Sequence, residues 1–322
     1  MTIVTRSIQA PAAVIMIRPH HFSLNTETAG DNPFQRNTIG DPNAISQIAH
    51  DEVSRAVDAL RSAGVRIHVF EDHGKETPDS VFPNNWLSTH PGGHVALYPM
   101  FAPNRRKERR ADIVEMLKNE YRVQDVVDYS GLELDGLFLE GTGSMVLDHL
   151  ERVAYAVRSN RTDPIALERF CTHFNYEPLV FDAQDANGTP IYHTNVLMCI
   201  ATEFVMIGLD YIVDPLRHQH IVRRFEESGR RVIALSREQI ENFAGNAIEL
   251  QTQTGRILAL SSRALRSLTS GQLAVIRQSV TPLPLNVETI EMAGGSVRCM
   301  LAGIHLSRRD GNLLIGNSSK PS

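Results

Sequence analysis

Apolar residues recur at three- and four-residue steps from Ala44 to Ala63: Ile45, Ile48, Ala49, Val53, Ala56, Val57 and Leu60 share one face. This predicts a helix, opened by Asp41-Pro42-Asn43 and closed by Gly64. Val65–Phe70 follows as a strand. Further helices are predicted over Arg105–Tyr121, Asp163–Asn175 and Asp214–Ser228, and shorter ones over Arg237–Phe243 and Ser270–Gln278. Strand pairs lie between them: Ser144–Leu147 with Val153–Val157, Thr194–Ile200 with Phe204–Gly208, and Ala247–Gln251 with Arg256–Leu260 around the turn Thr252-Gln253-Thr254-Gly255. The order strand, strand, helix, strand therefore repeats at about 50 to 65 residues, a spacing at which arrays and propellers arise. No Pro/Ser/Gly-rich linker separates the units, so one domain spanning 1–322 is expected.

Composition narrows the class. Of 322 residues, 42% are hydrophobic and 21% charged, which is ordinary for a soluble globular chain large enough to need no staple. A net charge of -5 argues against nucleic acid as a partner. The basic run Arg105-Arg106-Lys107-Glu108-Arg109-Arg110, taken alone, reads as a solvated helix face. Cys171, Cys199 and Cys299 lie far apart, with no CxxC spacing, and fit a reducing compartment. Met1–Arg6 lacks the apolar run of a signal peptide, and no apolar stretch approaches the roughly 18 residues of a membrane span. A cytoplasmic protein is expected. His218-Gln219-His220 lies on a predicted helix, where positions two apart point away from each other, so no metal is assigned to it.

Three segments carry candidate chemistry: Gly294-Gly295-Ser296-Val297-Arg298-Cys299-Met300, Leu139-Glu140-Gly141-Thr142-Gly143-Ser144 and Ile191-Tyr192-His193-Thr194-Asn195. A thiol, an imidazole and a carboxylate suffice for covalent catalysis at a planar carbon, the base deprotonating the thiol and the acid orienting the base. Cys171 and Cys199 read as small buried hydrophobes. His20, His21, His90, His94, His218 and His220 read as structural or exposed.

The wording around these residues resembles the guanidino-group-modifying enzymes, or penteins: arginine deiminases, dimethylarginine dimethylaminohydrolases and amidinotransferases. Thr77–Phe82, Ala102–Glu108, Leu139-Glu140-Gly141, Ser159-Asn160-Arg161-Thr162, Tyr192-His193 and Cys299 follow in the family's order, and Gly245-Asn246-Ala247-Ile248 matches a structural stretch. Met16-Ile17-Arg18-Pro19 and Pro78–Trp86 resemble, more narrowly, the citrulline-utilisation hydrolases. The resemblance implies an α/β fold, a five-bladed α/β propeller with pseudo-fivefold symmetry and the active site on its axis. It implies neither metal nor organic cofactor, and a small amino-acid substrate; a homo-oligomer is compatible with it. Carried over, Cys299 is the nucleophile, His193 the acid and base, and Glu140 the group that orients His193 or holds a substrate N–H. Asp79 accepts from substrate nitrogen, and Arg105 and Arg161 bind the α-carboxylate.

Two positions depart from the arginine-processing pattern. Relatives read Phe-x-(Arg/Glu)-Asp and His-x-Asp where this chain has Phe82-Pro83-Asn84-Asn85 and His193-Thr194-Asn195. A guanidinium only donates hydrogen bonds, whereas a ureido group also accepts through its carbonyl. Asn84, Asn85 and Asn195 therefore point to a neutral ureido substrate, citrulline, hydrolysed to ornithine, carbon dioxide and ammonia. The alternatives are an arginine or methylarginine deiminating hydrolase, an amidinotransferase, or a non-catalytic ribosome-binding pentein. The polar loop from Phe22 to Gly40 reads equally as a lid and as ordinary surface.

Overall fold

The computed structural model describes residues 8–36 and 40–309, so the leader reading of Met1–Arg6 and residues 37–39 of the polar loop lie outside the described residues. Five three-stranded sheets form the frame of a mixed α/β fold. Four share one plan, an antiparallel hairpin whose second strand pairs in parallel with a third. They are Leu87–His90, His94–Leu97 and Asp125–Asp128; Met145–Asp148, Val153–Val157 and Glu177–Phe181; Met198–Ile200, Phe204–Ile207 and Arg231–Ala234; and Ile248–Gln251, Arg256–Ser261 and Thr281–Leu285. The fifth joins distant segments: Ala302–Gly303 runs antiparallel to Ala13–Pro19, which pairs in parallel with Arg66–Asp72.

A parallel pair needs a crossover, and a helix supplies it each time. Pro42–Ser62 is the longest. Asp41 caps it by accepting from the backbone N–H groups of Asn43 and Ala44, and Gly64 turns away from its end at φ +93°. Its buried face, Val53, Ala56, Val57 and Leu60, packs with Val14, Met16 and Ile67 of its own sheet and with Leu285 of the next. Burying Leu60 alone contributes about 2 kcal/mol. The Asp163–Asn175 expectation resolves as Pro164–Phe174, with Asp163 as N-cap and Asn175 left-handed at φ 57°.

Two expected elements break up. Arg105–Tyr121 is a 3-10 turn, Pro103–Glu108, then a helix, Ala111–Glu120, because Arg109 and Arg110 are extended. Arg109 is pulled aside to the Glu133 carboxylate, 2.5 Å away. The basic run is thus no uniform solvated face: Arg105 is only 2% exposed. Thr194–Ile200 begins as a 3-10 turn, Thr194–Val196, and the strand starts at Met198. Polar and apolar residues alternate over Val287–Met292, yet this stretch holds a short helix, Glu288–Glu291, whose free N–H groups at Thr289 and Ile290 are taken by the Glu52 carboxylate.

The first strands of the four hairpins and Ala302–Gly303 face a common centre, for Leu87, Val146, Met198, Ile248 and Gly303 line one cavity. A short turn precedes each of these strands. These turns bond to one another in sequence: Thr142 Oγ1 donates to Asn84 O at 3.2 Å, Thr194 Oγ1 to Ser144 O at 2.6 Å, Asn246 Nδ2 to Asn195 O at 2.9 Å and Arg298 N to Asn246 Oδ1 at 3.1 Å. The fold thereby brings together residues far apart in the chain.

Candidate active site

Every residue expected to do chemistry lies on or beside one of these turns. Glu140 opens Gly141–Ser144, His193 opens Thr194–Val196, and Cys299 lies within Val297–Met300. Two glycines allow the approach. At Gly141, φ is +46° and a Cβ would lie 2.5 Å from Asn84 O. At Gly143 a Cβ would lie 2.1 Å from Asn85 Nδ2 and 2.8 Å from His193 Nδ1.

Glu140 is fully buried, and its Oε2 lies 2.8 Å from His193 Nε2 while Oε1 accepts from Phe101 N at 3.0 Å. Burial opposes its ionisation, but Arg161, the His193 hydrogen bond and Arg105 together hold its carboxyl well below the usual range. Burial pushes His193 down, against the pull of Glu140, so the imidazole is neutral near pH 7. An ionised Glu140 only accepts, so the ring proton sits on Nε2 and Nδ1 keeps a lone pair. The structure thus brings His193 and Glu140, expected as base and orienting acid, within hydrogen-bond distance.

Cys299 shares a cavity with His193 and receives two amide donors: Asn195 Nδ2 and Asn246 Nδ2 each lie 3.3 Å from Sγ. Cys171 and Cys199 are buried, and burial pushes both thiols up to about 12. Near the sulfur, Asn85 Nδ2 and Asn195 Oδ1 are buried and meet no hydrogen-bond partner among the described residues, whereas Asn84 does not line this cavity and donates through Nδ2 to Thr142 Oγ1 at 3.3 Å.

The expected substrate ligands gather here too, already engaged. Asp79 accepts from Asn25 Nδ2 at 2.7 Å and lies 3.6 Å from Arg105 Nε. Arg105 grips Glu108 through Nε and Nη2, both at 3.0 Å, and donates to Asn85 Oδ1 at 3.1 Å. A 3-10 turn eclipses positions three apart, which puts Arg105 over Glu108. Arg161 is paired with Asp31 and stacks on the Tyr192 ring at 4.8 Å. Both forks that were expected to hold an α-carboxylate thus hold protein carboxylates.

Four residues of the polar loop belong to the site although sequence reasoning placed none there. Thr28 and Asn32 line the Cys299 cavity, Asn25 holds Asp79, and Asp31 holds Arg161. Asn246, read as structural, touches the sulfur. The cavity measures about 20 Å³, and Thr28 and Asn32 of the loop form part of its wall. The three potential metal ligands that converge among the described residues, His20, His50 and Glu71, do not line this cavity, and Arg18 already occupies Glu71.

The model of the family described as N,N dimethylarginine dimethylhydrolase, eukaryotic, matches residues 18–306. The N-terminal domain of ArgZ, an arginine dihydrolase from the ornithine-ammonia cycle in cyanobacteria, superposes with a TM-score of 0.71 at 16% identity, over 91% of this chain and 97% of that one. Unliganded AgrE gives 0.72 at 18% identity, over 93% of this chain and 40% of its own. DDAH from Pseudomonas aeruginosa, a mutant complexed with citrulline, gives 0.62 at 13% identity, over 92% of this chain and 100% of its own. The chain thus spans only 40% of the longer ArgZ and AgrE chains. No curated protein sequence matches.

Proposed function

The chain belongs to the N,N dimethylarginine dimethylhydrolase family of the guanidino-modifying penteins, and on that premise we propose that it is a cysteine hydrolase of a ureido amino acid, converting citrulline and water to ornithine, carbon dioxide and ammonia. The five sheets are then the blades of a five-bladed propeller with pseudo-fivefold symmetry, and residues 1–322 form one catalytic unit working in the cytoplasm without metal or organic cofactor. No helix among the described residues is long and apolar enough to cross a membrane.

His193 Nδ1 takes the Cys299 proton, and the sulfur attacks the ureido carbon. The C–O π pair moves to oxygen, where amide donors stabilise it by roughly 3 kcal/mol each. Collapse expels one nitrogen, which receives the proton held on His193. Water then loses a proton to Nδ1 and attacks the S-linked carbonyl. The C–S bond breaks, and the resulting carbamic acid releases carbon dioxide and the second amine. Glu140 keeps the imidazole in one tautomer and offsets its charge in both steps.

The observation that carries the ureido reading is the pair of unengaged amide atoms beside Cys299: Asn195 Oδ1 accepts, and Asn85 Nδ2 donates. A neutral group with one carbonyl and two nitrogens uses both kinds. Asp79, Glu108 and Glu140, which a guanidinium would need, already face Arg105. A second reading rests on charge. The four acids Asp31, Asp79, Glu108 and Glu140 outnumber the two guanidiniums of Arg105 and Arg161, and that excess favours a cationic substrate such as arginine or methylarginine. Purified protein incubated separately with citrulline, arginine and dimethylarginine distinguishes them. Ornithine and ammonia from citrulline, absent with Cys299→Ala, are expected; ammonia from arginine with none from citrulline would select the second reading.

A further inference from the structure

The central cavity beyond the catalytic turns holds a cation with no counter-ion. Arg298 and Cys299 are neighbours, yet Cys299 lines the small cavity of the site while Arg298 lines the central one, of about 50 Å³. The Arg298 guanidinium donates through Nη1 to Leu301 O at 3.0 Å. Among the described residues no carboxylate lies within ion-pair distance of it, and its Nε and Nη2 have no protein acceptor. Each nearby acid is committed elsewhere. Glu249 lines the same cavity, but its Oε2 accepts from Thr202 and its Oε1 lies 3.4 Å from Arg256. Asp148 is held by Arg230 at 2.8 Å. Two further titratable groups on the wall, His149 and His305, stack with ring centres 4.1 Å apart, and burial keeps both neutral. Arg298 is half-buried on this wall, and a guanidinium stays charged there with its free edge open to an anion.

We propose that the central cavity is a binding site for a small monoanion, chloride or a one-carbon oxyanion such as bicarbonate, held by the free edge of Arg298. A space of about 50 Å³ accommodates one such ion. The free Nε–H and Nη2–H form a fork that suits a planar oxyanion, and a spherical halide can sit between them. This site is independent of the substrate assignment.

Bromide tests it directly. Crystals of the full chain grown in sodium bromide should show anomalous density within hydrogen-bonding distance of Arg298. Density only at the surface, or none, overturns the proposal. In solution, chloride or bicarbonate added at constant ionic strength against methanesulfonate should raise the unfolding midpoint by at least about 2 °C. Arg298→Met should abolish that rise. An equal rise in the variant overturns the proposal, and the crystal test needs no variant should this one fail to fold. Chloride and bicarbonate as separate arms tell a spherical occupant from a planar one.

Discussion

Two cavities meet at the turn that carries Arg298 and Cys299, and their chemistry differs in sign. In the Cys299 cavity and its walls, four acids surround two guanidiniums, and a buried imidazole is locked to one of those acids. In the central cavity, one guanidinium stands without an ion-pair partner beside two neutral imidazoles, the one lining acid, Glu249, facing Arg256 instead. The same five strands support both. What separates them is which way each residue of a four-residue turn points, so a single step along the chain moves a side chain from one electrostatic environment to the other. The scaffold fixes position, and the turn sequence fixes charge.

The largest break in this contrast is expected at Glu140. Glu140→Gln keeps the shape but removes the charge that orients His193 and faces Arg105 and Arg161. Turnover should fall by about 10²–10³-fold, with the larger part in kcat, because the lost interaction is strongest when the imidazole is charged. Steady-state kinetics within threefold of the parent would show that Glu140 neither orients nor supports the base. A smaller change is expected at Asn246. Asn246→Ala removes one of two donors to the sulfur, and iodoacetamide should alkylate Cys299 about tenfold more slowly at neutral pH. Mass spectrometry should find Cys171 and Cys199 unmodified in the folded protein, since burial pushes both up to about 12.

The sequence revealed parts of this unevenly, for physical reasons. Long amphipathic helices such as Pro42–Ser62 were legible because burial on one face imposes a period. Cys299, His193 and Glu140 stood out because each sits in a glycine-bearing or distinctive segment, and Gly141 and Gly143 turn out to be needed for turns to touch. Asp31 and Asn32 were not legible. They lie in irregular chain, where no period indicates which side chains face inward, and their role depends on Arg161 and Ala293, contacts more than a hundred residues away. Arg105 was half-read: its run of charges suggested solvent, while a 3-10 turn folded that one side chain inward onto Glu108. The unpaired state of Arg298 is a property of the space around it, and no local pattern encodes a missing partner.

The smallest expected effect sharpens the comparison through pH. His305 has an ordinary value of 6.5 and is pushed down to about 4, first by burial and then by Arg298. His149 is lowered by burial and by several neighbours, Arg298 among them. Between pH 6.5 and about 4 the unfolded chain therefore binds protons at these positions that the folded chain refuses. Folding stability should fall as pH drops through that window, and these two groups should contribute no pH dependence above it. Arg298→Met removes one cause of the shift, so its stability should fall less steeply across the same range. Urea unfolding at pH 7, 5.5 and 4.5, in methanesulfonate to keep small anions out of the cavity, measures both slopes. Parallel slopes in parent and variant would mean that burial alone keeps the imidazoles neutral, and that the Arg298 charge is screened from them.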